Sequence, residues 1–427
     1  MASLYMMSVF LILTISKVPI CAAMGFGVIV GLLQMNLPIS TIPRYMLAEV
    51  RSVPLLAIPF FILAANVLEE MNIIRRIFDF INHLISRIPG GLAQVTIVTE
   101  MILSGITGSA LSDIAGLGYS TIKAMDRAGY RRDFAAGLVG AVSILGPIIP
   151  PSIMFIVYAV LMDVSIAKLF IAGLMPGLAI AGLLMITVFL FATTGYEKCP
   201  PTRRYTVKEI ARSGLIGAPA IVTPVIILYG MTGGAITPTE AGVVAIVYSL
   251  FLSFIYREFT IDRLWKAFSK SIRITALIMY LTGIGCAMGF VLTSEQVAEK
   301  FTIQMLSLTS EPWLIFMMIN LILLVLGCLL ETLPAMLISI PVLGPMAVKL
   351  GMDPLQFGVV LTLNLAIGIL TPPIGLGLYT LCAMTGMKLE RAVRETAVFL
   401  PTLVVCLVLT TYIPALSLWL PNLLFPK

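Results

Sequence analysis

The chain has 427 residues, 59% of them apolar and only 11% charged, against about 45–50% and 25% in an ordinary soluble domain. No soluble packing of this length hides so much apolar surface, because roughly half of a globular surface still meets water; a bilayer is the solvent that fits. The net charge of +6 needs no nucleic-acid partner, since membrane proteins concentrate Lys and Arg in their cytoplasmic loops.

In chain order, the apolar runs between charged loops predict spans at 6–34, 51–71, 134–160, 168–194, 213–232, 239–256, 273–293, 356–382 and 395–420. The first run lacks the basic start and small-residue cleavage site of a signal peptide and is too long for one, so it reads as a retained span. Two further stretches, 91–122 and 312–347, are interrupted by Ser104-Gly-Ile-Thr-Gly-Ser109 and by Glu331-Thr-Leu-Pro334. Each is long enough for two short helices and a tight turn, a re-entrant hairpin that enters and leaves on one side.

Orientation follows from charge. With residue 1 cytoplasmic and both hairpins counted as zero crossings, the inner loops 72–90, 123–133, 195–212, 257–273 and 383–394 hold 20 of the 27 Lys and Arg residues. That asymmetry fits the positive-inside rule. Two stretches, Asn72 to Arg87 and Val297 to Leu308, alternate apolar and charged residues at helical spacing and read as interfacial helices, either plain connectors or lever arms.

Sliding the chain by 222 residues aligns its helix breakers without a gap. Gly105 meets Gly327, Gly129 meets Gly351, Gly146 meets Gly368, and Pro150-Pro151 meets Pro372-Pro373. Five crossings separate the starts of the two units, so the units are inserted upside down. The chain divides into a first span and scaffold (1–50), a first repeat (51–194), central scaffold spans (195–272) and a second repeat (273–427). Inverted repeats with interrupted helices at the midplane are the pattern of secondary transporters, and the interruptions mark the binding site.

The chemistry sits at those interruptions. Three prolines within Gly146-Pro-Ile-Ile-Pro-Pro-Ser152, and two within Gly368-Ile-Leu-Thr-Pro-Pro373, remove amide donors and unwind the helix. Unwound backbone at membrane depth is tolerated only where it is buried or lines a cavity. The freed carbonyls are hard oxygen ligands for a small cation, with the hydroxyls of Ser109, Ser112, Ser152, Thr332 and Thr371 beside them. A hairpin tip plus a broken helix, twice, suggests two related cation sites. Asp113 and Glu331 are acids at membrane depth, functional candidates by default: each could neutralise a cation, titrate, or be a hydrogen-bonded structural acid. Glu100 and Glu240 lie nearer span ends and read as structural or functional acids, and Asn66, Asn320 and Asn364 as site residues or equally as interhelical hydrogen-bond partners. His83 and the six scattered cysteines have no metal-ligand spacing. No Gly-Lys pair occurs, so an ATP-binding loop of the usual type is absent, and an ion gradient or a partner must supply the energy. The chain reads as a transporter, not an enzyme.

Ser104-Gly-Ile-Thr-Gly-Ser-Ala-Leu-Ser-Asp113, Leu145-Gly-Pro-Ile-Ile-Pro-Pro-Ser152, Gly234-Ala-Ile-Thr-Pro-Thr-Glu-Ala241 and Leu370-Thr-Pro-Pro-Ile-Gly-Leu376 together resemble the large membrane subunit (DctM type) of tripartite ATP-independent periplasmic (TRAP) transporters. The resemblance implies an all-α polytopic elevator fold of inverted repeats, with two re-entrant hairpins and two broken helices, in the bacterial inner membrane. It implies sodium-driven uptake of an organic acid. It also implies two partners, a periplasmic substrate-binding protein (DctP type) and a small four-helix membrane subunit (DctQ type). Carried onto this chain, one sodium site draws on Ser109, Ser112, Gly146 and Ser152, the other on Gly327, Thr332, Gly368 and Thr371. Asp113, Glu331, Pro150 and Pro372 are substrate or coupling candidates. The alternative is a stand-alone sodium/carboxylate symporter of the divalent-anion type.

Overall fold

The computed structural model describes residues 1–200 and 205–425; Arg203, Arg204 and Lys427, three of the charges counted above, lie outside it, as do the side chains of 105–107 in the first hairpin. Among the described residues every regular element is a helix.

The first half comprises α1 (Ala2–Ile15), α2 (Ile20–Gln34), α3 (Thr41–Val50), α4 (Ala57–Glu70), α5 (Ile73–Ile85), α6 (Gly91–Thr107), α7 (Ala110–Asp113), α8 (Tyr119–Arg127), α9 (Arg132–Ser143), α10 (Ile153–Leu161) and α11 (Ile166–Thr194). The second comprises α12 (Val207–Thr232), α13 (Pro238–Ile255), α14 (Ile261–Ser294), α15 (Val297–Leu308), α16 (Pro312–Leu329), α17 (Thr332–Lys349), α18 (Pro354–Gly368), α19 (Leu376–Thr385), α20 (Leu389–Ala397), α21 (Leu400–Tyr412) and α22 (Pro414–Leu424). Moved on by 222 residues, Ala110 falls on Thr332 and Arg127 on Lys349, so α7–α8 covers the bounds of α17; Arg132 likewise falls on Pro354, the start of α18. The same offset pairs the arms α5 and α15, and each arm follows a residue in the left-handed region, Asn72 (φ 55°) and Gln296 (φ 54°). It also lays α1–α2 over α12–α13, so the repeat reaches back to the first helices.

Two predicted spans are corrected. The run 6–34 is not one helix. It turns at Lys17 (φ 64°), and α2 returns along α1 with Gly27 and Gly31 against Met6. Fourteen residues of helix rise only about 21 Å, short of a hydrocarbon core of about 30 Å. Because the chain folds back, its first residues sit on the same side as residue 36. Ser3 Oγ bonds Glu295 at 2.8 Å, at the far end of α14 from the 257–260 loop. A cytoplasmic residue 1 and a cytoplasmic 257–273 loop are therefore incompatible. The run 395–420 is also broken: α20 and α21 meet at 53°.

Among the described residues, seven helical segments are long and apolar enough to cross a membrane: Val53–Glu70, α11, α12, α13, α14, α16 and α17. The broken helices are shorter and sit deepest. Phe134–Ser143 of α9 and Gln356–Gly368 of α18 are buried throughout, as expected of helices apolar on all faces inside a bundle. The asparagines join helices as read from the sequence. Asn364 Nδ2 donates to Asn320 Oδ1 (2.9 Å) and Asn320 Nδ2 to Thr411 Oγ1 (3.0 Å), tying α18, α16 and α21 together. Glu240 is structural, closing a capping box with Thr237 at the start of α13.

The first arm is anchored by charge. It buries Ile73, Ile74, Ile77 and Ile81, and its Arg76 lies over the Tyr256 ring at 4.4 Å and bonds Glu258 at 3.2 Å. Arg263 also donates to Glu258, at 2.5 Å. These donors, Arg263 foremost, hold the Glu258 carboxyl below the usual carboxylate range.

Candidate functional site

The first hairpin reverses at Gly108, whose φ of 64° suits glycine. Ser109 is extended and α7 starts at once. The tip lies on the first break. A Cβ on Gly146 would meet Asp113 Oδ2 at 2.2 Å and the Ser109 carbonyl carbon at 3.3 Å, so any larger residue there would displace the Asp113 carboxyl and crowd the tip. Ser152 is fully buried and caps α10: its hydroxyl donates to Pro147 O (2.6 Å) and accepts from Phe155 N (3.3 Å). The tip touches that cap, since a Cβ on Gly108 would come within 3.0 Å of Ile153 N. Ser109, Gly146 and Ser152 are thus brought together. Ser112, three residues on, is exposed and faces a cavity.

The second half repeats the contact by backbone. A Cβ on Gly368 would lie 2.6 Å from the Cα of Gly327, and one on Gly327 would lie 2.7 Å from Leu365 O. Gly375 N donates to Cys328 O (2.9 Å), stitching the unwound segment to the hairpin limb. Thr371 sits in that segment with its hydroxyl on Ile367 O (3.0 Å). Thr332 is buried at the first position of α17. The two breaks differ in one respect: Pro150 is buried, whereas Pro372 is exposed.

Both tips face one cavity of about 420 Å³. Ser109, Ser112 and Glu331 line it from the hairpins; Asn66 and Glu69 of α4 and Lys270 of α14 line it from the opposite wall. Lys270 Nζ pairs with Glu69 Oε2 at 2.5 Å, and Asn66 Nδ2 donates to Ser271 Oγ at 2.8 Å. A second cavity, of about 510 Å³, shares Glu69, Ile74 and Leu117 with the first and runs on to Asn72 and Arg75 of the arm and Thr121 of α8. The space at the tips is therefore continuous with the face that carries the 72–90 and 123–133 loops.

Lys270 and Glu69 are not singled out by the sequence, and Asn66 reads there equally as an interhelical hydrogen-bond partner. Lys270 was counted in a charged loop because the apolar run starts at 273. Arg263, Lys266, Lys270 and Arg273 are spaced by three and four residues, which is the signal for one face of a helix. In the structure α14 begins at Ile261 and carries Lys270 to the cavity wall.

Comparison with known proteins shows the family. The family model for "Tripartite ATP-independent periplasmic transporter, DctM component" matches residues 4–416. Among curated relatives, the C4-dicarboxylate TRAP transporter large permease protein DctM of Pseudomonas aeruginosa is 37% identical over 369 residues, 86% of each chain. The sialic acid TRAP transporter large permease protein SiaM of Vibrio cholerae is 36% identical, covering 89% of each. The 2,3-diketo-L-gulonate TRAP transporter large permease protein YiaN of Escherichia coli is 36% identical, covering 86% of each. Two solved structures share the fold at low identity. The YdaH transporter of Alcanivorax borkumensis has a TM-score of 0.61 at 14% identity, over 91% of this chain and 88% of that one. MtrF of Neisseria gonorrhoeae has a TM-score of 0.57 at 11% identity, over 89% and 84%. With the family model spanning nearly all of it, this multi-pass membrane chain belongs to the DctM component family of tripartite ATP-independent periplasmic transporters.

Proposed function

We propose that the chain is the permease for sodium-driven uptake of a small organic acid across the bacterial inner membrane, by an elevator motion. The observation that carries this reading is the cavity between the hairpin tips and the α4–α14 wall, where hydroxyls meet Lys270, the one cation among the described residues of its lining. The relatives are named for C4-dicarboxylates, sialic acid and 2,3-diketo-L-gulonate, all acids that an ammonium group and hydroxyl donors recognise. Sodium binds at the tip of Ser109 with Gly146 and Ser152, and at Gly327 and Gly368 with Thr332 and Thr371, where unwound carbonyls supply hard oxygen ligands. Ser112 completes the first site, facing the cavity.

The moving unit is the two hairpins with the broken helices; α4 and α12–α14 are the scaffold. Substrate arrives on a periplasmic binding protein, and a small membrane subunit completes the assembly. The first residues lie on the periplasmic side with Glu295, and Lys17 then faces the cytoplasm. The test is uptake of labelled organic acids into vesicles. With both partners present, an inward sodium gradient should drive uptake, and Ser109→Ala should weaken its sodium dependence. Uptake driven by a proton gradient without sodium would overturn the coupling. Full activity without the partners would favour the stand-alone symporter.

A further inference from the structure

Glu69 stands in the last turn of α4, where the helix macrodipole disfavours a negative charge. Its ion pair with Lys270 is partly open to water, and such pairs add little to stability. Stability therefore does not explain a carboxylate at this position.

Three observations define its place. Oε2 takes the Lys270 ammonium group at 2.5 Å. Oε1 faces the first hairpin: a Cβ on Gly116, between α7 and α8, would lie 3.7 Å from it. Glu69 is also one of the residues shared by the 420 Å³ and 510 Å³ cavities. One carboxylate thus sits where the two cavities join, on the ammonium group that an organic acid would use.

Glu69 offers Lys270 the same group that such an acid offers, a carboxylate oxygen. Being part of the chain, it does so at a high effective concentration. Displaced, it is not stranded. Its side chain is 34% exposed, and the second cavity presents Asn72 and Arg75, the latter the one cation among the described residues of that lining.

We propose that Glu69 is an internal competitor for the substrate carboxylate: it holds Lys270 in the empty transporter, yields it to an arriving acid, and takes it back as the acid passes into the second cavity. Its effect is on release. Without it the acid binds more tightly and leaves more slowly. This rests on Lys270 being the anion contact of the proposed transport function.

The probes are succinate, sialic acid and 2,3-diketo-L-gulonate, after the acids for which the relatives are named. Binding is read from the rise in thermal unfolding temperature of the full-length protein in nanodiscs, and uptake from vesicles containing the complete transporter. Glu69→Gln should bind at least one probe at a concentration about tenfold lower than the wild type, the worth of one charge-assisted hydrogen bond. Its KM for uptake should fall, and its maximal rate should fall with it, because release is slowed. A merely structural residue would lower the rate at an unchanged or raised KM. In a Lys270→Met background, Glu69→Gln should gain nothing. Equal binding by Glu69→Gln and wild type for all three probes, including none by either, would overturn the competitor, as would a gain that persists without Lys270. Wild-type binding that Lys270→Met leaves unchanged would instead overturn the anion contact itself. If Glu69→Gln fails to fold, Glu69→Ala, which has no acceptor at all, decides by the same measurements.

Discussion

Lys270 is half-buried against Glu69, with 42% and 34% of the side chains exposed. An ion pair so placed contributes little to stability, so its position on the cavity wall matters more than its strength. An arriving carboxylate competes with Glu69 for the ammonium group. Lys270→Met should reduce uptake at least about tenfold, the cost of one charge-assisted hydrogen bond, with unchanged folding by size-exclusion elution. Lys270→Arg should restore part of it. Uptake at the wild-type rate in Lys270→Met would remove this residue from the site. Most of the other candidates were legible because breakers are legible: proline and glycine announce unwinding wherever they occur. A lysine gives no such signal until the helix that carries it is known. Ser152 illustrates the converse. Its hydroxyl lies at the break, already engaged with Pro147 O and Phe155 N.

At the scale of elements, the arms decide how a moving unit is tethered. The first arm is fastened to the α13–α14 loop through Arg76 and Glu258, which Arg263 also holds. Because Glu258 titrates below its ordinary value, its contribution is fully present above about pH 4.3, the unperturbed glutamate value, and is lost as pH falls through the lowered one. Protection of the 73–77 amides, measured against their intrinsic exchange rates at each pH, should therefore fall in acid, and Glu258→Gln should lower it at neutral pH. Exchange that is equal in the variant and the wild type would show that the isoleucine face alone holds the arm. The arms and hairpins were readable from sequence because charge spacing and breakers mark them. The fold-back of α1 on α2 was not: Lys17 and Pro19 interrupt the run, but a single charge and a proline at a helix start also fit one continuous span.

At the scale of the whole molecule, the 222-residue repeat explains why both hairpin tips face one cavity. The central claim is that this repeat-built unit moves against α4 and α14. Cysteines at Ala115 of the first hairpin and Leu277 of α14, both lining the cavity, allow a short thiol crosslinker to join hairpin to scaffold in a background without the native cysteines. Uptake by the reconstituted transporter, measured before crosslinking, after it and after reductive release, tests the claim most directly. The account predicts uptake that stops on crosslinking and returns on release, with sodium still bound in the locked state. Uptake at the uncrosslinked rate with the link intact would contradict it, leaving only local opening of the hairpin tips.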